Sequence, residues 1–272
     1  MSPVRDTSLR AATSRVLAEL IAGAVADASA RRAVRSQAEV EAAALTRSPA
    51  LDAVAVLAPA DRVKIIAEVK RASPSRGPLA DIPDPAALAA DYETGGASAI
   101  SVLTEGRRFG GSLADLEAVR ARVSLPVLRK DFIVLPYQVF EARAAGADLV
   151  LLMVSALEQT ELTELYSLVT ELGMTALVEA HDAQEVSRAV DLGASLIGIN
   201  ARNLATFDLD PENFPRLADR IPDGTIRVAE SAVKTAADVA RYREAGADVV
   251  LVGEALVTGD PVATLHEFLA AS

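Results

Sequence analysis

Five apolar, strand-like runs of this chain end in charged or polar residues of the types that carry out acid–base chemistry. The chemically relevant residues at these ends are Glu68, Lys70, Lys130, Glu179, Asn200, Glu230 and Ser231. In a parallel sheet closed into a barrel, the carboxyl ends of all strands lie on one rim, so residues far apart in the sequence converge there. The pattern therefore predicts a proton-transfer site at such a rim.

The first of these strand ends carries an acid and a base together. Glu68 and Lys70 are two residues apart, so their side chains leave the same face of a strand. A structural ion pair and a catalytic pair explain this spacing equally well, but Lys130 and Glu179 at later strand ends favour catalysis. Two lysines and two carboxylates in one partly desolvated mouth have displaced pKa values, which suits proton transfer near neutral pH.

A repeated phrase indicates which elements position these residues. Gly-Ala-Asp or Gly-Ala-Ser precedes an apolar run at Gly96, Gly146, Gly193 and Gly246. Each copy is typical of a helix end, a glycine in the left-handed conformation and then a buried strand. Repeated corners of this kind predict βα units around a parallel sheet.

Eight strands and several amphipathic helices are predicted in this way. The strands cover about 65–70, 98–103, 126–130, 148–153, 175–179, 196–200, 226–230 and 248–252, with helical stretches that include 86–94, 113–122, 138–145, 159–172 and 236–245. Eight strand–helix units within about 200 residues predict an α/β fold of the (β/α)8 TIM barrel type rather than an open doubly wound sheet. The G-x-G-x-x-G loop of the nucleotide-binding alternative does not follow the first strand.

Residues 1–60 do not belong to the repeat. They are rich in alanine and helical in pattern, with a break near Ser48-Pro49, so we expect a helical extension packed on a catalytic barrel of residues 61–272. A cap on the base of the barrel and a lid over its rim are the two alternatives for this extension. The lid is considered because added segments often gather at the functional rim.

Composition excludes several classes of protein. The chain lacks cysteine and has two histidines, which excludes disulfides and thiolate catalysis and argues against a zinc or other metal site. A net charge of −11 argues against nucleic-acid binding. No apolar run is long enough for a membrane span, and Glu19 and Asp27 leave only a short apolar stretch for a signal peptide, so we expect a cytoplasmic protein.

Loops beyond the strand ends supply candidate substrate contacts. The polar loop 71–78 contains Ser73 and directly follows Lys70, which favours a substrate-closing loop over a merely mobile one. Ala232 and Gly253 follow the seventh and eighth strands, where many barrels hold phosphate with backbone N–H groups.

The scarce aromatic residues and the two histidines complete the set of candidates. Phe109 and Phe132 follow the second and third strands, so stacking on an aromatic substrate ring is as well supported as a role in the core. We interpret His181 as a solvated residue at a helix start rather than as a catalytic base. His266 is expected on the surface of the terminal helix.

Six motifs, found in order between about Ile65 and Glu254, resemble the indole-3-glycerol phosphate synthase family, which also carries an N-terminal extension. They are Ile66-Ala-Glu-Val-Lys-Arg-Ala-Ser-Pro-Ser, Phe109-Gly-Gly-Ser, Leu128-Arg-Lys-Asp-Phe, Leu177-Val-Glu, Gly198-Ile-Asn-Ala-Arg-Asn-Leu and Ala229-Glu-Ser. The whole set in this order is far more specific than any one of its members.

The resemblance implies a carboxy-lyase of tryptophan biosynthesis. Its reaction converts 1-(2-carboxyphenylamino)-1-deoxyribulose 5-phosphate to indole-3-glycerol phosphate, CO2 and water. By the same resemblance, Lys130 protonates the C2 carbonyl oxygen during ring closure and Lys70 is the acid of the dehydration, while Glu179 and Glu68 stay alternative bases. No metal and no organic cofactor are implied.

The implied substrate contacts fall into three groups, according to the part of the substrate that they meet. They are Asn200, Ser231, Arg202 and Leu204 for orientation and hydroxyls, Phe109 and Phe132 for the aromatic ring, and Ser73, Ala232, Gly253 and Glu254 for the phosphate. The small anionic substrate is the partner that the resemblance implies. We expect a stand-alone monomer, with a homodimer as the alternative.

One position departs from the family pattern. The family usually has Glu-Ser-Gly-Ile after the seventh strand, whereas this chain has Glu230, Ser231, Ala232 and Val233. Glycine permits a close approach of backbone to phosphate and tolerates positive φ. Ala232 is therefore expected to weaken phosphate binding if its φ is positive, and to have no effect otherwise.

The alternative functions are those of related barrel enzymes and of a barrel without catalytic activity. Phosphoribosylanthranilate isomerase and sugar-phosphate epimerases share the fold and the phosphate end, but the first favours a catalytic cysteine and the second metal-binding histidines at strand ends, which this sequence lacks. A catalytically silent barrel that binds a phosphorylated ligand or serves as a scaffold is disfavoured because Lys70, Lys130 and Glu179 are all present.

Overall fold

The computed structural model describes residues 15–203 and 207–271, and within these ranges eight parallel strands close into a barrel. The strands are β1 Lys64–Val69, β2 Ala99–Leu103, β3 Val127–Lys130, β4 Leu149–Met153, β5 Thr175–Ala180, β6 Leu196–Asn200, β7 Ile226–Glu230 and β8 Val249–Val252. Each strand pairs with the next along the chain, and β8 pairs with β1. The predicted (β/α)8 TIM barrel is confirmed, and each strand boundary lies within one residue of its predicted position.

Helices precede the barrel and connect its strands. They are α1 Arg15–Val34, α2 Gln37–Leu45, α3 Ala53–Leu57, α4 Pro85–Thr94, α5 Leu113–Arg122, α6 Pro136–Ala145, α7 Gln159–Glu171, α8 Ala183–Asp191, α9 Asn213–Leu217, α10 Ala236–Glu244, α11 Glu254–Val257 and α12 Pro261–Ala270. Short polar side chains begin many of them; Asp84, Ser112 and Asp182 accept hydrogen bonds from backbone N–H groups of the first turn. None of the described helices has both the length and the apolar character needed to cross a membrane.

Glycines end helices at the corners that the repeated phrase predicted. Gly146 has φ 96° and donates its backbone N–H to the carbonyls at the end of α6. Gly246 has φ 89° and plays the same part after α10. This left-handed conformation, which costs glycine little, turns the chain into the buried strands β4 and β8.

Apolar side chains pack in two layers because consecutive residues of a strand face opposite sides. Ile65 belongs to the layer between strands and helices, and Ile66 belongs to the barrel interior. The interior face of the other strands includes Leu128, Leu177 and Val228. Residues two positions further on continue this interior face to the mouth of the barrel; they are Glu68, Lys130, Glu179 and Glu230.

The N-terminal extension contacts both ends of the barrel. At the base, Ala53 and Leu57 of α3 are completely buried against the interior layer. At the mouth, Leu20 of α1 lines the cavity among the strand ends, and Asp27 pairs with Arg107 in the loop after β2, with 2.6 Å between nitrogen and oxygen. A cap on the base and a lid over the rim were the alternatives from the sequence; α3 packs at the base, and α1 contacts the mouth.

A buried arginine links this extension to the barrel wall. Arg129 lies between Leu128 and Lys130 of β3, whose side chains face the interior and the mouth of the barrel. The side chain of Arg129 therefore points outward, where it is completely buried. It lies 2.9 Å from Asp131 and 3.0 Å from Glu141 of α6. Arg31 of α1 donates to the same Glu141 across 2.9 Å. Because each charge has partners of opposite sign, the ion pairs compensate the desolvation cost of burying this cluster, and they hold α1 against α6.

Candidate active site

A cavity at the carboxyl ends of the strands is lined by most of the residues that the sequence singled out. Its lining includes Glu68, Lys70, Ser73, Phe109, Lys130, Phe132, Glu179, Asn200, Arg202 and Ser231. These residues come from β1, β3, β5, β6 and the loops that follow β1, β2, β3, β6 and β7. The structure thus brings together side chains that are separated by as many as 163 positions in the chain.

Lys130 lies between two buried carboxylates. Its Nζ is 3.1 Å from Oε2 of Glu179 and donates a second, shorter hydrogen bond to Oε2 of Glu230. The side chains of Glu179 and Glu230 are only 2% and 1% exposed. An ammonium group in this position neutralises charge that water does not reach.

The three groups displace one another's pKa values. Burial opposes the charge of Lys130, but Glu230, Glu179 and Glu68 together raise the pKa of the ammonium group above its ordinary value. Burial also opposes the charge of Glu179, yet Lys130 and the neighbouring His181 hold the pKa of this carboxyl well below its usual range. The pKa of Glu230 is raised by burial and by the charge of Glu179. Lys130 and Glu179 are therefore charged at neutral pH, and Glu230 is the carboxyl that most readily keeps a proton.

Glu230 was recognised in the sequence as a strand-end residue but was given no role in the predicted site. It ends β7 on the interior face, in the same way that Glu179 lies on β5. Its Oε1 is buried and has no hydrogen-bond partner among the described residues. The neighbouring strand makes room for it, because a Cβ added to Gly198 of β6 would overlap this oxygen.

A second acid–base pair lies at the end of β1. Nζ of Lys70 is 3.3 Å from Oε1 of Glu68, and Oγ of Ser101 donates to Oε2 of the same carboxylate across 3.2 Å. Nζ of Lys70 also lies 5.8 Å from the ring centroid of Phe109. Gly253, after β8, packs against this pair, since an added Cβ would lie 2.8 Å from Oε1 of Glu68.

Two aromatic rings form one side of the cavity. The ring centroids of Phe109 and Phe132 are 6.3 Å apart, with an angle of 46° between the ring planes. Glu105, which belongs to none of the sequence motifs, fixes the loop that carries Phe109. Its carboxylate accepts the backbone N–H groups of Arg107, Arg108 and Phe109 at 3.0, 2.7 and 3.0 Å. The three N–H groups that this buried side chain satisfies give Phe109 a defined position.

Asn200 connects the carboxylates to the loops after β6 and β7. Its Nδ2 donates to Oε1 of Glu179 across 3.1 Å, and its Oδ1 accepts from Oγ of Ser231 and from the backbone N–H of Arg202, each at 2.9 Å. The side-chain amide is thereby fixed in one orientation, since oxygen and nitrogen have partners of opposite kind.

The predicted phosphate contacts are distributed between the cavity and its edge. Ser73 lines the cavity, and its Oγ lies 3.4 Å from Oγ of Ser75. Ala232, Gly253 and Glu254 are not part of the cavity lining, and Glu254 forms an ion pair with Arg76 from the loop after β1. Leu204, a predicted substrate contact, lies outside the described residues.

Two arginines provide positive charge near this edge. Arg202 lines the cavity. Burial and the charge of Arg76 both lower the pKa of its guanidinium group. Arg76 has Glu254 as its counter-charge, so a bound anion at this edge would pair with Arg202.

The turn after β7 is strained. Ser231 and Ala232 have φ values of 67° and 59°, in the left-handed region that side chains with a Cβ rarely adopt. The condition under which Ala232 was expected to matter is thus met. Strain of this kind persists where the surrounding structure determines the backbone, and it is frequent at functional sites.

His181 is not the solvated residue that we expected from the sequence. It does precede a helix, α8, but its side chain is only 15% exposed. Nε2 lies 3.3 Å from Oε1 of Glu179, and Nδ1 lies 3.0 Å from Oε2 of Glu185. Burial would lower the pKa of the imidazole, but the two carboxylates raise it to about 10. The expectation was wrong because both partners approach only in the folded chain. His266 is exposed on α12, as predicted.

Comparisons with known proteins agree with this geometry. The family model described as indole-3-glycerol phosphate synthase matches residues 17–268. A protein of that name from Leifsonia xyli is 72% identical over 253 residues, which cover 93% of this chain and 97% of the relative. One from Beutenbergia cavernae is 59% identical over 257 residues, 94% of this chain and 95% of the relative.

Solved structures of low sequence identity share the fold. The 3-hexulose-6-phosphate synthase from Salmonella typhimurium superposes with a TM-score of 0.63 at 16% identity, over 77% of this chain and 98% of that one. The N-acetylmannosamine-6-phosphate 2-epimerase from Clostridium perfringens gives a TM-score of 0.60 at 15% identity, over 78% and 93%. At these identities the likeness concerns the barrel alone.

Ala232→Gly is expected to stabilise the protein and to leave the Michaelis constant unchanged or lower it. Relief of the left-handed strain is worth about 1–2 kcal/mol, and the greater freedom of glycine in the unfolded chain offsets about 0.4–1 kcal/mol of that. Urea unfolding and steady-state kinetics measure the two effects. The control is Ala58→Gly, at φ −52°, which should lower the free energy of unfolding. A destabilised Ala232→Gly protein would contradict the strain argument.

Gly198→Ala is expected to lower kcat about tenfold or more, because the new methyl group displaces the carboxylate of Glu230 from Lys130. The overpacking should also lower the free energy of unfolding by about 1–3 kcal/mol. Gly259→Ala is the matched control, since an added Cβ there meets its nearest atoms at an ordinary 3.6 Å. Unchanged kcat in Gly198→Ala would show that the position of Glu230 does not matter to the reaction.

The charged imidazole of His181 makes stability depend on pH. Its pKa is about 10 in the folded protein against 6.5 for an ordinary histidine, so the stabilisation is complete below about pH 6.5 and is lost as the pH rises to about 10. We expect wild type to exceed His181→Asn in free energy of unfolding by about 2–5 kcal/mol at pH 6, with little difference at pH 10. Urea unfolding at several pH values measures this. A pH-independent difference would contradict the ion pairing.

Proposed function

This chain belongs to the indole-3-glycerol phosphate synthase family, and from this premise we propose that the cavity at its barrel mouth closes the indole ring in tryptophan biosynthesis. The substrate is 1-(2-carboxyphenylamino)-1-deoxyribulose 5-phosphate, and the products are indole-3-glycerol phosphate, CO2 and water. The enzyme is a carboxy-lyase, since a carbon–carbon bond to a carboxylate breaks.

The observation that carries this proposal is the position of Lys130, which lies between Glu179 and Glu230 in the cavity that Phe109 and Phe132 also line. Ring closure requires the aryl carbon that bears the carboxylate to attack the C2 carbonyl carbon of the sugar chain. The carbonyl oxygen gains negative charge in this step. An ammonium group that is charged at neutral pH can stabilise that oxygen and then protonate it.

Decarboxylation follows from the product of ring closure. The attacked aryl carbon has lost its aromatic bonding and still carries the carboxylate. When CO2 leaves, the electrons of the broken carbon–carbon bond restore the aromatic ring. Phe109 and Phe132 support this sequence because both line the cavity and together give the ring an apolar surface, with 6.3 Å between their ring centroids.

Dehydration uses an acid and a base. Lys70 donates a proton to the hydroxyl group, which leaves as water, and a carboxylate removes a proton from the carbon beside the nitrogen. Glu68 and Glu179 both line the cavity, and they stay the alternative acceptors of this proton. Asn200 and Ser231, which are hydrogen-bonded to each other at 2.9 Å, orient the substrate hydroxyls.

The phosphate end of the substrate lies toward Ser73 and the backbone of Ala232, Gly253 and Glu254. Arg202 supports this direction because its guanidinium group lines the same cavity as Ser73, whereas Arg76 is paired with Glu254. Leu204 completes the proposed contacts. Local positive charge is needed because the whole chain has a net charge of −11.

Three further features of the protein complete the proposal. The proposed domain division is an extension of residues 1–60, of which the structure describes residues 15–60, and a catalytic barrel of residues 61–272. The protein acts in the cytoplasm as a monomer, with a homodimer as the alternative. Its acid–base groups belong to the chain itself, so the reaction uses neither a metal nor an organic cofactor.

Lys130→Ala tests the proposed function. We expect wild type to convert the carboxyphenylamino substrate to indole-3-glycerol phosphate, measured by indole absorbance and CO2 release. The variant should lose at least about 10²-fold in kcat because the acid of ring closure is gone. Lys130→Arg keeps the positive charge between the carboxylates but holds its proton too tightly to donate it, so it should also be inactive.

Lys64→Ala is the control for Lys130→Ala, since Lys64 lies at the opposite end of a barrel strand, in β1. Circular dichroism establishes that each variant is folded. A folded Lys130→Ala enzyme with most of its activity would overturn the role assigned to Lys130. Wild type that binds the substrate without turnover would instead favour a silent barrel.

A further inference from the structure

A second cavity lies at the base of the barrel, opposite the mouth. Its volume is about 650 Å³, and its lining includes Arg47 and Ser48 after α2, Arg120 near the end of α5, Arg143 near the end of α6 and Asp148 just before β4. Because β4 begins directly after Asp148, the cavity lies at the amino ends of the strands, whereas the acid–base groups lie at their carboxyl ends. The proposed reaction makes no use of this cavity.

Arg143 places a positive charge in the wall of the cavity without a carboxylate partner. The residue is only 4% exposed. Its Nη1 donates to the backbone carbonyl of Ala147 across 2.9 Å, and its Nη2 donates to the carbonyl of Ser48. Both acceptors are neutral, and among the residues that the structure describes no carboxylate forms an ion pair with this guanidinium group. A buried cation without a counter-charge favours the approach of an anion.

Two further guanidinium groups act on Arg143. Burial lowers the pKa of Arg143, Asp148 opposes this shift, and the charges of Arg47 and Arg120 lower the pKa further. The bare backbone of Gly146 permits this convergence, because an added Cβ would lie 2.5 Å from Nη2 of Arg47 and 2.7 Å from Cγ of Arg120. The guanidinium group of Arg47 has no hydrogen bond or ion pair within the described part of the chain. Three cations therefore meet in one cavity.

The carboxylate of Asp148 is already occupied by other donors. Its Oδ1 accepts the backbone N–H of Leu51 at 2.8 Å. Its Oδ2 accepts from Nη1 of Arg120 at 2.7 Å and from the backbone N–H of Val127 at 2.9 Å. The lining thus combines three arginines with one aspartate, and two positive charges have no counter-charge in it.

A carboxylate just outside the lining does not cancel this excess. Oε1 of Glu93 accepts the backbone N–H of Ser124, which lines the cavity, across 3.0 Å. Within the described residues, Glu93 forms no ion pair with any of the three arginines. The cavity is therefore a local positive region on a chain whose net charge is −11, so it does not follow from the composition.

From this arrangement we propose that the cavity at the base binds a phosphate group, carried either by inorganic phosphate or by a small phosphate monoester. A phosphate monoester has a charge of about −1.5 to −2 at neutral pH, which matches the two uncompensated positive charges. Its oxygens accept hydrogen bonds from several directions, and the planar fork of a guanidinium group fits such oxygens. A carboxylate has one charge and two coplanar oxygens, so it would leave one arginine unpaired.

A bound phosphate group joins the N-terminal extension to the barrel. Arg47 belongs to the segment between α2 and α3, whereas Arg120 and Arg143 belong to α5 and α6. A ligand that binds only the folded arrangement stabilises it as the ligand concentration rises above its Kd. The site therefore makes the attachment of the extension depend on the concentration of a phosphate compound, at the end of the barrel remote from the acid–base groups.

A titration of the whole protein with inorganic phosphate, followed by ¹H–¹⁵N NMR at low ionic strength, locates the binding. We expect saturable shifts of the backbone amides of Arg47, Gly146 and Asp148, with a Kd of about 1 mM or lower. Shifts at the mouth report the other end of the barrel and are fitted separately. Sodium chloride at the same ionic strength gives the background, because screening acts on all exposed charges.

Arg47→Gln tests whether the arginines form the site. Arg47 is exposed, so its replacement should leave the fold intact. Loss of one of the three guanidinium groups should raise the Kd at the base about tenfold or more, while kcat stays unchanged. Arg122→Gln is the matched control, since Arg122 is also exposed, lies in the last turn of α5 and is not part of the lining.

Arg47→Glu tests the charge excess without any ligand. A carboxylate at this position supplies the counter-charge from the chain itself, so the midpoint of thermal unfolding in phosphate-free buffer should be higher than in wild type. Added phosphate should then raise this midpoint less than it does in wild type. A midpoint below that of wild type would contradict the uncompensated charge.

Methyl phosphate distinguishes the two sources of the phosphate group. Tighter binding of methyl phosphate than of inorganic phosphate at the base indicates a monoester site, and the reverse order indicates a site for free phosphate; either result supports the proposal. Absence of saturable shifts around the cavity would overturn it, and so would equal affinity in Arg47→Gln and Arg122→Gln. These measurements need no turnover, so their failure is distinct from a failure of the proposed function.

Discussion

The charge balance around Lys130 is the interaction on which the rest of the site depends. One ammonium group compensates the charge of Glu179 and donates a hydrogen bond to Glu230, the carboxyl that most readily keeps a proton, at a depth that water does not reach. Removing one partner from such a cluster typically costs about 3–5 kcal/mol, because an unpaired charge stays buried. The same contacts that hold the geometry also set the protonation states, since they keep Lys130 protonated and Glu179 ionised. Structure and reactivity therefore rest on the same few contacts.

The barrel makes this balance possible because its strands supply the groups. Lys130, Glu179 and Glu230 each lie two residues beyond an interior apolar side chain of a different strand. Because side chains alternate between the two faces of a strand, the pattern that packs the core also directs the reactive groups into the mouth of the barrel. Side chains anchored in this way are held more precisely than side chains on loops. Where loops do contribute, polar contacts fix them: Glu105 holds the loop of Phe109, and Asn200 ties the loops after β6 and β7 to Glu179.

Much of this arrangement could be predicted from the sequence. The strands are uninterrupted apolar runs that begin after Gly-Ala corners, and the convergence of Lys70, Lys130 and Glu179 follows from barrel closure. His181 was misinterpreted because β5 ends at Ala180, and beyond a strand end the alternation no longer decides where a side chain points. Its burial and charge depend on carboxylates that only the folded chain brings near. The positive φ of Ala232 was likewise hidden, since residues with a Cβ ordinarily avoid that conformation.

The space that Gly198 leaves for Glu230 has a consequence for how the sequence can evolve. The two positions share one volume across adjacent strands, so a lineage that acquires any larger residue at position 198 must shorten or reorient the acid at position 230. Neither change is tolerated alone, because one produces a steric clash and the other leaves Lys130 with a weakened counter-charge. Drift at these sites should therefore be rare and correlated, although they are separated by 32 positions and neither lies in a loop.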